Sequence, residues 1–267
     1  MSSVDVKQLF EEQHSVYKMA RPTYPEELYQ RLMAAAQVEV NTAWDCGCGS
    51  GQAAHDLARH VPRVVATDVS GAQIKAASPH ARVSYHQAGA EDVSAWLDDA
   101  SVELVCAATA FHWFDEDAFY QEAWRVLRPG GVLGVWSYAM HHVEQGEAVN
   151  AWTTHFVHTI LHTFWQPQNH ALMRDEYRLA GRPAPDAREV SDAIFLPKLH
   201  AEQEVGLDAY AAYLRSWSAS QRFAEVNGDD PVELHREALE QSWVRDFGDV
   251  QARAHVRWPL FGRAFLR

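Results

Sequence analysis

Apolar and polar residues alternate along this chain in two rhythms, and the change between them divides it. Up to Tyr138, short runs rich in β-branched residues recur at Thr42–Cys46, Arg63–Asp68, Ala81–His86, Val102–Ala107 and Val132–Ser137. Most are separated by helix-like stretches of about ten to fifteen residues. Pro25 stands where a first helical turn tolerates proline, so Glu26–Gln37 reads as a helix. Strands alternating with helices predict a parallel sheet covered on both faces. The RPGG run, Arg128–Gly131, is the turn that closes the last helix-to-strand passage.

Beyond Tyr138 the rhythm breaks. A long aromatic-rich helical stretch, Glu147–Trp165, leads into a proline-punctuated segment through Pro197, and a further helix lies near Leu207–Trp217. The terminal HVRWPLFGRAFLR returns to a strand pattern suited to pairing with the main sheet. The expected organisation is an α/β, doubly wound and mostly parallel core, residues 1–139 and 250–267, with a helical cap over 140–249 inserted after the fifth strand. No repeat or low-complexity tract interrupts it.

Composition narrows the chemistry. The chain has 267 residues, 47% of them hydrophobic, enough for one full core and an elaboration. Its formal charge of −13 repels phosphate backbones and anionic membranes, so neither nucleic acid nor a membrane is an expected partner. The three cysteines, Cys46, Cys48 and Cys106, are too few for a disulfide framework and fit a reducing compartment. The first residues hold no apolar run of signal-peptide length, and no stretch of about eighteen apolar residues occurs; a cytoplasmic protein is expected.

The chemistry-bearing segment is AWDCGCGSGQAA, which sets Asp45, Gly47, Gly49 and Gly51 between a strand and a helix start. Glycines there let the backbone turn sharply and let a ligand lie against the main chain. The spacing is G-x-G-x-G, whereas a dinucleotide fingerprint reads G-x-G-x-x-G with a pyrophosphate on the helix N-terminus. Asp45 sharpens the difference, because a carboxylate at this turn opposes phosphate and suits an ammonium group. The second strand ends in Asp68, where a carboxylate can accept from ribose hydroxyls or cap the helix begun by DVSGAQ. S-adenosylmethionine carries an ammonium group, a ribose and no phosphate.

From these motifs the chain resembles the class I S-adenosylmethionine-dependent methyltransferases over roughly Tyr17 to Tyr138. The resemblance implies a Rossmann-like, seven-stranded methyltransferase fold that takes S-adenosylmethionine and releases S-adenosylhomocysteine. It implies that Asp45 and the glycine loop surround the methionine part, that Asp68 and Val69 hold the ribose end, and that Ala90 and Glu91 of AGAED meet the adenine. The segments YKMARPTYPEELY, AFHWFD and YLRSWSASQRF are similar to the methyltransferase type 11 and trans-aconitate methyltransferase-like branch, which acts on small molecules. That branch places Tyr17 and Arg21 over the cofactor, with Arg21 available for its carboxylate.

Acceptor chemistry belongs at the carboxyl ends of the strands, where Thr109, Phe111, His112 and Trp113 follow the fourth one. Thr109 is expected beside the cofactor. Methyl transfer is an in-line displacement at an activated carbon, so alignment and desolvation matter most. If the acceptor is a hydroxyl or a protonated nitrogen, His112 is the general-base candidate; a carboxylate acceptor needs none, and His112 then packs within its turn. Tyr138, Trp165, Trp217 and Arg222 are further acceptor-side candidates, Trp217 with the alternative of core packing and Arg222 of a surface ion pair. His155, His158 and His162 fall on one face of the predicted helix, a spacing that admits a metal with His141 or His170, although the aromatic neighbours favour an ordinary face and no metal is expected. The rival readings are a non-catalytic sensor of an adenosyl ligand and a nicotinamide-dependent oxidoreductase; aminopropyl transfer lacks an acidic polyamine motif. The expected state is a monomer or a homodimer with a small-molecule acceptor as partner.

Overall fold

In the computed structural model, residues 21–195 and 198–267 are described. They form two compact units: one of Thr23–Ala139, Ala171–Ala201 and Pro259–Arg267, the other containing Met140–His170 and Glu202–Trp258 with Arg21 and Pro22.

The first unit is a sheet between helices. Helix α1 (Glu26–Ala35) precedes β1 (Thr42–Cys46), α2 (Gln52–His60), β2 (Arg63–Asp68), α3 (Gly71–Ala76), β3 (Val83–Gln87), β4 (Val102–Ala108), α4 (Glu116–Val126) and β5 (Leu127–Tyr138). Strands β1 to β5 pair in parallel in the order β3-β2-β1-β4-β5. The path continues after the short β6 (His142–Val143) and α5 (Glu147–His155), which belong to the other unit, and after α6 (Pro167–Asp175). Then come β7 (Arg188–Glu189), α7 (Ser191–Phe195), β8 (His200–Gly206), α8 (Leu207–Arg215), α9 (Ser218–Asn227), α10 (Pro231–Leu234), α11 (Arg236–Phe247) and β9 (Arg253–Leu266). The last part of β9 runs antiparallel to β5, and β7 adds to its far side. Strands β1 to β5, the last part of β9 and β7 therefore make the expected doubly wound, mostly parallel sheet in this unit.

Alternation explains the two faces. Ala43, Ala66, Cys106 and Trp136 pack with Leu28, Leu32 and Leu57 on one side, while Trp44, Val65, Val105 and Val135 pack with Phe119, Ala123 and Phe265 on the other. Cys46 and Cys48 accordingly lie in different cores, and all three cysteines are buried free thiols.

Three expectations change. The RPGG run is not a turn before β5 but a bulge inside it: Val102 pairs with Leu127 and Leu104 with Val132, so the residues between are looped out. The bulge is closed by Gly130 N–H on the Arg267 carbonyl at 2.7 Å and Arg267 N–H on the Gly131 carbonyl at 3.0 Å. The helix expected to run on to Trp165 leaves α geometry after His155 for a π segment, Phe156–Ile160, and a 3-10 turn, His162–Phe164. Finally, Ala171–Ala201, expected in the cap, clusters with the sheet unit, because β7 and α7 join β9 and α1, whereas Arg253–Trp258 clusters with the other unit. A stretch expected within the cap thus borders the sheet.

In the second unit α5 begins without a side-chain cap of its own; Asp246 of α11 accepts from the N–H groups of Ala148 (3.1 Å) and Val149 (2.8 Å) instead. Around Trp217 the rings of Tyr213, Trp165, Phe156 and His141 gather at centroid distances of 5.5, 5.7, 6.4 and 6.0 Å. Among the described residues, no helix is long and apolar enough to cross a membrane.

Candidate active site

The site grows from the carboxyl ends of β1, β2 and β4. After Cys46 the chain enters the glycine loop, and the Cys48 N–H bonds the Thr67 carbonyl at 2.9 Å, pinning the loop to β2. Gly49 N–H donates to Asp68 Oδ2 and Ser70 N–H to Asp68 Oδ1, each at 2.8 Å. Asp68 therefore ties the loop to the end of β2. The cap of α3 is not Asp68 but Ser70, whose hydroxyl accepts from Gln73 N–H at 3.3 Å. Carboxylate oxygens hold more than one lone pair, so Asp68 keeps capacity for ribose hydroxyls. Beside it Val69 is 75% exposed.

Two loop glycines are required sterically. At Gly47, φ is +68°, and a Cβ would stand 2.5 Å from that of Ala110 and 3.0 Å from the Phe114 ring. At Gly51, φ is +92° and a Cβ would collide with the Tyr85 hydroxyl. The loop is thus wedged between the segment after β4 and a tyrosine from β3.

Asp45 is the unusual group. It is fully buried, and among the described residues neither carboxyl oxygen has a hydrogen-bond partner. Burial, then the Asp68 charge, raises its pKa from 3.8 to about 8; the Ala54 N–H lies near enough to oppose this without normal hydrogen-bond geometry. Asp45 is registered with Ala66 of β2 and Ala66 with Tyr85 of β3, so the three share a sheet face. The Tyr85 hydroxyl is also buried without a partner among the described residues. A buried polar pair left this way is expensive unless something with N–H or O–H groups occupies the space. The donor set suits an ammonium group, as S-adenosylmethionine carries.

On the β4 side, Thr109 has φ of +54°, a strained value for a β-branched residue. It is held by its N–H on the Trp136 carbonyl at 2.7 Å and by a 2.8 Å hydrogen bond between its Oγ1 and the Tyr24 hydroxyl. Tyr138 lies across from Tyr24, with ring centroids 6.5 Å apart. The Phe111–Trp113 turn follows, with His112 half-buried and Trp113 44% exposed. His112 Nδ1 is 3.0 Å from the Tyr177 hydroxyl. Ala90 is buried, while Glu91 is exposed and accepts from the Asp115 N–H at 3.3 Å.

The comparisons now bear on this arrangement. A model of the type 11 methyltransferase domain matches residues 44–135, the span from β1 to β5. A Dictyostelium discoideum protein named as a methyltransferase is 31% identical over 92% of this chain and 89% of its own length. This chain belongs to the methyltransferase type 11 family. It is an S-adenosylmethionine-dependent methyltransferase, and the nicotinamide and sensor readings fall with that assignment. A Saccharomyces cerevisiae protein named as an S-adenosylmethionine-dependent methyltransferase is 24% identical over 94% of each chain. The solved structure of a type II methyltransferase from Anaeromyxobacter dehalogenans superposes with a TM-score of 0.76 at 36% identity, covering 91% of this chain and 97% of that one.

Of the residues singled out in the sequence of this methyltransferase, Asp45, Gly47, Gly49, Gly51, Asp68 and Val69 come together, and Thr109 and His112 lie in the segment packed on Gly47. Tyr17 lies outside the described residues. Arg21 donates to the Ser216 carbonyl at 3.0 Å within the second unit. Trp217 is buried in that unit's aromatic cluster, the packing alternative, and Arg222 is exposed on α9. The histidine face does not form: the π segment shifts His158 and His162 off the row of His155, and no metal-binding group of side chains occurs among the described residues. The side chain of His170 is not described. Tyr24, Tyr85 and Tyr177 escaped the sequence reading. Tyr24 sits in the quoted RPTYPEELY motif and was open to discovery; Tyr177 follows no pattern.

Proposed function

We propose that this enzyme transfers the methyl group of S-adenosylmethionine to a small-molecule acceptor, working as a cytoplasmic protein without nucleic acid or membrane. The observation that carries the cofactor part is the buried Asp45 carboxyl, both oxygens unpartnered among the described residues, behind a loop in which Gly47 and Gly51 leave no room for a side chain. Asp45 would receive the ammonium group, Gly47 and Gly49 the main body of the amino-acid end, and Asp68 the ribose hydroxyls, with Val69, Ala90 and Glu91 around the adenine. The cofactor supplies a methyl group already activated on a sulfonium centre. The protein's part is then to align the acceptor and exclude water. Thr109, strained and held by Tyr24, fixes the segment that carries His112 and Trp113 beside the loop.

Titration calorimetry with S-adenosylhomocysteine tests the cofactor site. Wild type should bind, and Asp68→Ala should bind at least tenfold more weakly, because the change releases both loop N–H groups and removes the ribose partner. Equal affinity in the two proteins contradicts the assignment. Incubation with methyl-labelled S-adenosylmethionine and a small-molecule host extract then tests the acceptor class: label in low-mass products is expected, and label only in macromolecules refutes it.

A further inference from the structure

We propose that the second unit holds a small-molecule site of its own, in which His141 Nδ1 accepts a hydrogen bond from a neutral ligand with an apolar body and a single O–H or N–H group. The proposal is independent of the methyl-transfer reading.

A chain of hydrogen bonds fixes which imidazole nitrogen keeps its lone pair. Thr153 Oγ1 stands 2.9 Å from the Val149 carbonyl, which can only accept, so the threonine proton is committed there. The Tyr210 hydroxyl, 2.6 Å from the same Oγ1, is then the donor to it. With its one proton spent, Tyr210 accepts from His141 Nε2 at 2.7 Å. The imidazole therefore carries its proton on Nε2 and a lone pair on Nδ1. The reverse order would set two oxygen lone pairs against each other between Thr153 and Val149. It would also leave Nδ1–H as a buried donor with nothing to meet, the arrangement folded proteins avoid most.

Thr153, Tyr210 and His141 are 4, 1 and 6% exposed, and Nδ1 itself is buried with no partner among the described residues. Burial, with His142 adding to it, pushes the His141 pKa down to about 3, so the lone pair is present at neutral pH.

The surroundings decide what can meet that lone pair. The rings of Tyr213, Tyr210, Trp258 and Trp217 stand around the imidazole at centroid distances of 5.2, 5.4, 5.8 and 6.0 Å. Their hydroxyls are already engaged: Tyr210 in the chain above, and Tyr213 as acceptor from the Trp258 indole N–H at 2.8 Å. A buried water needs roughly two to four polar partners, and Nδ1 supplies one. A charged donor would enter without a counter-ion, since none of the groups named carries a carboxylate. A single lone pair set among aromatic rings suits an apolar molecule with one donor.

The imidazole is also held in place. His141 precedes β6, where the Asn150 side chain accepts from the Val143 N–H at 3.0 Å and donates to the Val143 carbonyl at 2.8 Å. Met140 and His142 on either side are exposed, so His141 is the residue of this stretch that turns inward.

Phenol and benzene test this, being one ring with and without the donor. In wild type, calorimetry should show phenol binding about tenfold or more tighter than benzene. Long-range ¹H–¹⁵N spectra of ¹⁵N-histidine protein should show His141 in the Nε2–H tautomer, its Nδ1 signal moving as phenol is added and staying when benzene is. The signal is assigned by its loss in His141→Phe. That variant keeps a ring and removes the lone pair, so it should weaken phenol about tenfold and change benzene by less than about twofold. No saturable phenol binding, equal affinity of wild type for the two probes, an Nδ1–H signal for His141, or unchanged phenol affinity in folded His141→Phe overturns the proposal. The comparison of probes in wild type needs no variant, so it decides the matter even where His141→Phe fails to fold.

Discussion

At the scale of single residues, Asp45 concentrates the physics of this enzyme. In the free protein its carboxyl holds a proton up to about pH 8, because burial and the Asp68 charge disfavour the ionised form. An arriving ammonium reverses the preference, so binding must release that proton near neutral pH. Affinity for S-adenosylhomocysteine should therefore rise between pH 6 and about 8, by up to about tenfold per pH unit, and calorimetry in buffers of different ionisation heat should show close to one proton released at pH 7. Asp45→Asn should abolish the release. The same shift bears on stability with a defined sign. Since the folded pKa lies above the unfolded one, the contribution is complete below pH 4 and fades as pH rises through about 8. Gly51 offers a second check. Alanine there is strained by φ of +92° and collides with the Tyr85 hydroxyl, so Gly51→Ala should cost about 1–2 kcal/mol or more in chemical denaturation. Adding Tyr85→Phe should recover part of that loss, since it removes the colliding oxygen and leaves the backbone strain and the tighter contact with the ring carbons, 2.9 and 3.0 Å away.

At the scale of elements, the sheet was legible because its strands carry their own signal. Thr42–Cys46 and Arg63–Asp68 are apolar runs whose bounds the structure reproduces, and the aspartates that close the pattern are those at the site. What sequence periodicity missed shares one cause: the deciding contacts lie far along the chain. The helical pattern of Glu147–Trp165 has no proline or glycine to mark its break, yet the backbone shifts to π geometry at Phe156 and the histidine row is lost. Tyr177 could not be found, because the strand that pairs its segment with β9, Arg188–Glu189, has two residues, and no pattern rule detects an element so short. Capping of α5 is equally nonlocal. Gly146 provides no side chain, and Asp246 supplies the missing acceptor from about a hundred residues away in sequence. Asp246→Ala should cost about 1 kcal/mol by urea denaturation, with Asp246→Asn keeping roughly half.

At the scale of the molecule, the chain crosses between its two units several times, and the sheet unit depends on residues from the very end. The Arg267 backbone closes the RPGG bulge in both directions, and its guanidinium donates to the Trp124 and Leu127 carbonyls. Leu266, Phe265 and Ala264 pair with Val132, Leu133 and Gly134 of the strand that leads towards Tyr138. The sequence pattern showed that the terminal segment returns to the sheet, but not that it clamps the bulge. That clamp makes the terminus more than an edge strand. A bulge left open would expose the carbonyls of Leu127 and Gly131 and free the register between β4 and β5, which sets the position of Thr109 through the Trp136 carbonyl. Arg267→Ala keeps the backbone clamp and loses only the guanidinium, so it should cost about 1–3 kcal/mol while S-adenosylhomocysteine still binds. Removing Ala264–Arg267 takes away clamp and strand together, and should lower the melting temperature by more than the point change and weaken cofactor binding in parallel. A truncated protein with unchanged melting and affinity would mean that β5 holds its register without the end of the chain.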